Sequence, residues 1–170
     1  MSLKAGDIIQ CNYDAQLSKG WRKWLNKLVK KLDGDVNHSA LYFGKGYVIE
    51  AWDGVGVRKR KLWKWEKYHI LRTKPELGLE NLQSNLKDYY KNTKGMKYSW
   101  RDWVNTGIGK LTYKIFGKRC QLFKNDKEGF ICSEYVKTFY WRYYGIGLCE
   151  DIKLETPNDF DKSKYLSIQL

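Results

Sequence analysis

A chain of 170 residues fits one domain and is long enough to close a hydrophobic core; its 42% hydrophobic and 16% aromatic residues exclude a disordered chain. Lys and Arg number 32 against 19 Asp and Glu, a net charge of +13, so the surface field favours anionic partners such as membrane headgroups and wall polymers. The four cysteines (Cys11, Cys120, Cys132, Cys149) are widely spaced without a C-x-x-C pair, which argues against a disulfide framework or a zinc ribbon.

In chain order, Gly6 opens a short strand over Asp7–Cys11. Trp21, Trp24, Leu25, Leu28, Val29 and Leu32 recur at helical spacing, with Arg22, Lys23, Lys27, Lys30 and Lys31 on the other face, and Gly34 stops that helix. Ser39–Phe43 and Tyr47–Trp52 flank Gly44-Lys45-Gly46 as a hairpin, and Val55–Lys61 and Tyr68–Thr73 read as further strands. Leu79, Leu82, Leu86 and Tyr89 mark a helix ending before Gly95. Ser99, three residues ahead of Asp102, forms a capping-box pattern for a helix through Trp103, Ile108 and Leu111, which Gly107 and Gly109 weaken. A basic loop runs to Gly129, an amphipathic helix covers Ile131–Tyr144 and closes at Gly145, and Tyr165–Leu170 alternates as a last strand. No basic region with a long apolar run opens the sequence and no stretch has the length of a membrane span, so it reads as cytoplasmic as synthesised. The expected architecture is one α+β domain.

Two places carry chemistry. A three-residue loop at Gly44–Gly46, with Gly46 left-handed, pairs Phe43 with Tyr47, Leu41 with Ile49 and Ala40 with Glu50. One face then collects Leu41, Phe43, Tyr47, Ile49 and Ala51; the other holds His38, Ala40, Val48, Glu50 and Trp52. A slip of one residue would set Glu50 among the apolar side chains, so the register that buries the hairpin also puts a carboxylate diagonally beside His38. The second place is Gly129-Phe130-Ile131-Cys132-Ser133-Glu134, where Cys132 opens a helix whose unsatisfied N–H groups and dipole favour a thiolate. A cysteine at a helix start, with a histidine supported by a carboxylate, is an activated-thiol arrangement. Cys11, Cys120 and Cys149 read as small buried hydrophobes, His69 as structural, and Glu134 as a first-turn partner of the helix dipole.

Gly95-Met96-Lys97-Tyr98-Ser99-Trp100, followed by Cys132-Ser133-Glu134-Tyr135-Val136, resembles the G-x-x-Y-x-W and C-S-x-x-V pattern of the NlpC/p60 papain-like cysteine hydrolases. Gly6-Asp7-Ile8-Ile9, His38-Ser39-Ala40-Leu41-Tyr42 with Glu50, and Thr156-Pro157-Asn158-Asp159-Phe160 resemble further segments of that superfamily. Histidine precedes cysteine here, which resembles the circularly permuted YiiX/YebB-like branch, related to lecithin:retinol acyltransferase. The resemblance implies one permuted papain-like domain over residues 1–170, a central antiparallel sheet packed on helices, and the nucleophile at a helix N-terminus. It implies Cys132 as nucleophile, His38 as base, Glu50 as orienting third member and Tyr98 near the oxyanion site. Two departures stand out: more than thirty residues separate Tyr98 from Cys132, longer than the ordinary family spacing, and Glu50 replaces the commoner third residue.

The favoured reading is a cysteine hydrolase cleaving an amide bond, in a peptide or a peptidoglycan stem, through a thioester acyl-enzyme. The alternatives are a lipid-directed acyl hydrolase or acyltransferase, and a non-catalytic basic protein on the same scaffold. The basic Trp21–Leu32 helix fits an anionic surface, and Trp63-Lys64-Trp65-Glu66-Lys67 interleaves aromatic and basic residues as single-strand binders do, without pointing to a specific nucleic acid. The expected partners are a small peptide, cell-wall or lipid-amide substrate; no metal or organic cofactor is implied.

Overall fold

The computed structural model describes residues 2–12, 27, 31, 34, 36–62, 68–118, 120, 122–124, 128–149 and 156–169. Its strands are β1 (Ile8–Cys11), β2 (His38–Gly44), β3 (Tyr47–Trp52), β4 (Gly56–Lys61), β5 (Tyr68–Thr73), β6 (Lys97–Tyr98), β7 (Gly129–Phe130) and β8 (Leu166–Gln169). Its helices are α1 (Leu82–Thr93), α2 (Trp100–Phe116) and α3 (Cys132–Tyr144), with short 3-10 turns at Pro75–Leu77 and Pro157–Lys162. The expected helix over Trp21–Leu32 lies outside the described residues apart from Lys27 and Lys31, both helical and exposed; Trp63–Lys67 lies outside them entirely.

The larger sheet runs β4-β3-β2-β1-β5-β8, each neighbouring pair antiparallel, with β1 buried along its whole length near the centre. Helix α3 packs across β2 and β3. Its Tyr135, Val136, Phe139 and Tyr140 meet Ile8, Leu41, Ile49, Ala51 and Leu71 of the sheet and Leu86 and Tyr89 of α1. The aromatic richness of the sequence is concentrated in this layer: the Tyr89 ring lies 4.8 Å from that of Tyr135 and 5.5 Å from that of Phe139. Buried hydroxyls there are satisfied, Tyr89 donating to the Tyr135 carbonyl at 2.9 Å. Asp7, in the Gly6-Asp7 pair, is buried and held by Arg72 of β5 through two 2.6 Å bonds, so it anchors the sheet.

The hairpin keeps the expected Leu41–Ile49 pairing and differs at its tip. Tyr47 pairs with Gly44 instead of Phe43, across a bulge between Tyr42 and Gly44. Lys45 and Gly46 both have positive φ (53° and 76°), so the loop is a two-residue turn; the extra residue is absorbed by the bulge, where Gly44 has φ 103°. Helix α1 starts at Leu82, leaving Leu79 in the preceding loop. In α2 the Ser99 hydroxyl accepts the Asp102 N–H as the capping pattern requires, and the helix runs through Gly107 and Gly109, both of them buried. The basic loop ends in β7, whose parallel pairing with β6 brings residues 97–98 beside 129–130.

Candidate active site

His38 opens β2, and the alternation of the hairpin carries Glu50 onto its side of the sheet. His38 Nε2 and Glu50 Oε2 are 2.8 Å apart, and Glu50 is fully buried. The other carboxylate oxygen, Oε1, accepts from Arg58 Nε at 2.9 Å and Arg60 Nε at 2.8 Å. Glu50 lies opposite Arg58 in the β3–β4 ladder, and period two brings Arg60 to the same face. Trp52 flanks the cluster: its ring lies edge-on to His38 at 5.1 Å, with the Arg58 guanidinium 4.3 Å from its centroid.

Cys132 is the first residue of α3, following Ile131 in extended conformation as the N-cap. Its thiol is hydrogen-bonded to His38 and receives the backbone N–H groups of Ser39 and Ser133. With Nε2 of His38 engaged by Glu50, Nδ1 is the nitrogen left for the thiol. Burial pushes the Cys132 thiol up, but the His38 bond, the imidazolium charge and the two N–H groups outweigh it and hold the thiol below its ordinary value. Burial likewise pulls His38 down, while its bonds to Cys132 and Glu50 raise it well above the ordinary imidazole value. Burial would raise Glu50, yet His38 and Arg60 draw it to about 2. The three shifts point the same way: Glu50 is held ionised, and His38 and Cys132 each favour the charged form of the other.

The structure therefore brings Cys132, His38 and Glu50 into one hydrogen-bonded chain. Tyr98, on β6, pairs with Phe130 two residues ahead of Cys132 and packs on the main core. Cys11 and Cys149 are buried as expected; Cys120 is exposed, because it lies on the segment returning along the outside of α2. His69 is an exposed residue of β5. Sequence reasoning missed Arg58 and Arg60, since Arg58-Lys59-Arg60-Lys61 reads as a solvated basic strand; the available signal was their period-two register with Glu50.

An antiparallel sheet packed on helices, with a cysteine, a histidine and a glutamate at one end, defines an α+β protein compatible with the papain-like fold. Among solved structures the chain is similar to the crystal structure of metalloprotein yiiX from Escherichia coli O157:H7, with a TM-score of 0.60 and 18% identity, over 98% of this chain and 96% of that one. No protein-family model matches the sequence, and no curated protein does. The likeness to yiiX, a member of the YiiX/YebB-like family, is one of fold.

The word metalloprotein belongs to yiiX. In the Cys132–His38–Glu50 cluster, Glu50 has one oxygen on His38 and the other between two guanidiniums, an arrangement that does not suit a metal ligand; no group of three metal-ligating side chains occurs among the described residues.

Proposed function

We propose that this protein is a cysteine hydrolase that cleaves an amide bond through a thioester acyl-enzyme, with Cys132 as nucleophile, His38 as acid–base and Glu50 as orienting residue. The observation that carries this reading is the continuous Cys132–His38–Glu50 chain, in which His38 holds the carboxylate through Nε2 and also bonds the thiol. A fixed carboxylate accepting from Nε2–H leaves the Nδ1 lone pair for the thiol proton, the tautomer that base catalysis needs.

In this mechanism the Cys132 sulfur attacks the substrate carbonyl carbon, the C–S bond forms, and the π electrons move to oxygen. N–H groups at the start of α3 stabilise that charge, and Tyr98 is proposed to assist from β6. Collapse breaks the C–N bond as Nδ1–H of His38 protonates the departing amine. Water then attacks the thioester, giving its proton to Nδ1; the C–S bond breaks and acid and thiolate are released. An amine acceptor in place of water would make the same acyl-enzyme a transferase, so the acceptor names the reaction. Peptide and peptidoglycan-stem amides are the proposed substrates.

The test is intact-mass analysis after mixing with a panel of peptide, stem-peptide and N-acyl amides, alongside amine release. The expected result is an acyl adduct localised to Cys132 and amine release that Cys132→Ser abolishes. Amine release unchanged in Cys132→Ser would sink the proposal.

A further inference from the structure

Helix α2 and the segment that follows it fill the long separation between Tyr98 and Cys132, and they form a built unit. Asn105 Oδ1 accepts the N–H groups of Leu122 and Phe123 at 3.1 and 3.0 Å, and Asn105 Nδ2 donates to the Phe123 carbonyl at 2.8 Å. Thr112 Oγ1 accepts the Cys120 N–H at 2.9 Å. Lys110 ties the helix to the rest of the protein through Thr156 and Asp159.

The end of this unit contributes nothing to the core. From Tyr113 to Lys118 every residue is exposed, Ile115 and Phe116 at 60% and 71%; Leu122, exposed too, is held farther back along the helix at Asn105. Tyr113, Ile115 and Phe116, three of the eight large hydrophobic side chains exposed among the described residues, fall together in the last turn of this helix. Such a cluster signals a partner.

The charges around it say which. Residues 113–124 hold Lys114, Lys118, Arg119 and Lys124 and no acidic residue. A second copy of this chain would bring like charges against each other. Nucleic acid would use the basic residues and the aromatic rings, but Ile115 and Leu122 offer no stacking face. Apolar side chains that enter the acyl boundary, interspersed in the sequence with lysines that reach headgroup phosphates, suit an anionic bilayer.

We propose that the Tyr113–Lys118 end of α2 docks this protein on anionic lipid membranes, with Ile115 and Phe116 entering the bilayer surface and Lys114 and Lys118 meeting the headgroups. The inference is independent of the hydrolase reading. It is tested by co-sedimentation of the full chain with phosphatidylcholine vesicles with and without phosphatidylserine. The wild type partitions onto the phosphatidylserine vesicles and is released by high salt. Ile115→Ser/Phe116→Ser, which keeps the charge, weakens that partition about tenfold or more. Lys114→Ser/Lys118→Ser weakens it more than Lys45→Ser/Lys87→Ser, which removes the same charge from exposed positions elsewhere. All three variants change exposed side chains, and an unchanged thermal midpoint certifies that they remain folded. Unchanged partition of the Ile115/Phe116 variant, or equal losses from the two lysine pairs, overturns the proposal in favour of diffuse charge attraction. A wild type that ignores both vesicles and binds a single-stranded oligonucleotide overturns it in favour of nucleic acid.

Discussion

The two oxygens of Glu50 have separate duties: Oε2 faces His38 and Oε1 sits between Arg58 and Arg60. That division fixes the carboxylate plane and, through it, the imidazole. Glu50→Gln breaks it, because a carboxamide has one acceptor oxygen to offer either the arginines or His38, and its NH2 meets a donor on the other side. Turnover on any amide that the wild type cleaves is expected to fall about 10²–10⁴-fold in Glu50→Gln and by at least as much in Glu50→Ala. Equal kcat/KM in wild type and Glu50→Gln would remove the carboxylate from the mechanism. The sulfur makes its own prediction. With its thiol held below the ordinary value, Cys132 reacts with iodoacetamide at a pH where the buried Cys11 and Cys149 do not. His38→Ala removes the largest opposing contribution to burial and moves the inflection of that reaction to higher pH, as mass spectrometry of each cysteine peptide would read.

Elements were legible in the sequence where one pattern repeats and illegible where a contact joins distant short pieces. The Leu41–Ile49 register followed from alternation, since only one pairing buries Leu41, Ile49 and Ala51 together. The bulge at Phe43–Gly44 did not, because Gly44-Lys45-Gly46 suits a two- or a three-residue loop equally. The β6–β7 pair was invisible: two-residue strands have no period, and thirty intervening residues hide their proximity. Of the candidate site, Cys132, His38 and Glu50 could be singled out from motif and register, whereas Arg58 and Arg60 required the β3–β4 ladder. Two glycines test these element boundaries. Gly46 and Gly56 share positive φ, at 76° and 88°, but a Cβ on Gly46 meets open space, whereas on Gly56 it would lie 2.2 Å from the Met96 carbonyl oxygen. Gly46→Ala is expected to lose about 1–2 kcal/mol in urea denaturation, the cost of a left-handed residue. Gly56→Ala loses more, since the β4 start and the Met96 backbone must separate; equal losses would mean that the close approach does not constrain the fold.

At the scale of the whole molecule, the buried charges set how stability varies with pH. Glu50 titrates near 2 in the folded protein against 4.5 when free, so it stabilises the fold above about pH 4.5, and that contribution disappears as pH falls through its folded value. His38 has the opposite sign: raised above 6.5, it contributes fully below that pH, and the contribution is lost as pH rises through its folded value. The net charge of +13 adds a second acid effect, because protonating surface carboxylates increases repulsion throughout the molecule. The two are separable. Repulsion acts on wild type and Glu50→Gln alike, so the difference between their urea unfolding free energies isolates Glu50. That difference should be flat from about pH 4.5 up to the range where His38, which Glu50 also raises, begins to titrate, and it should shrink by a few kcal/mol on acidification toward pH 2, at about 1.4 kcal/mol per pH unit where the proton is taken up. Arg60→Gln supplies the decisive comparison. Arg60 is one of the groups that draw Glu50 down, so its removal raises the folded value and starts the acid loss at higher pH. An acid limb that stays in place in Arg60→Gln would show that His38 and Arg58 hold the carboxylate ionised without Arg60, and that Arg60 acts only on its orientation.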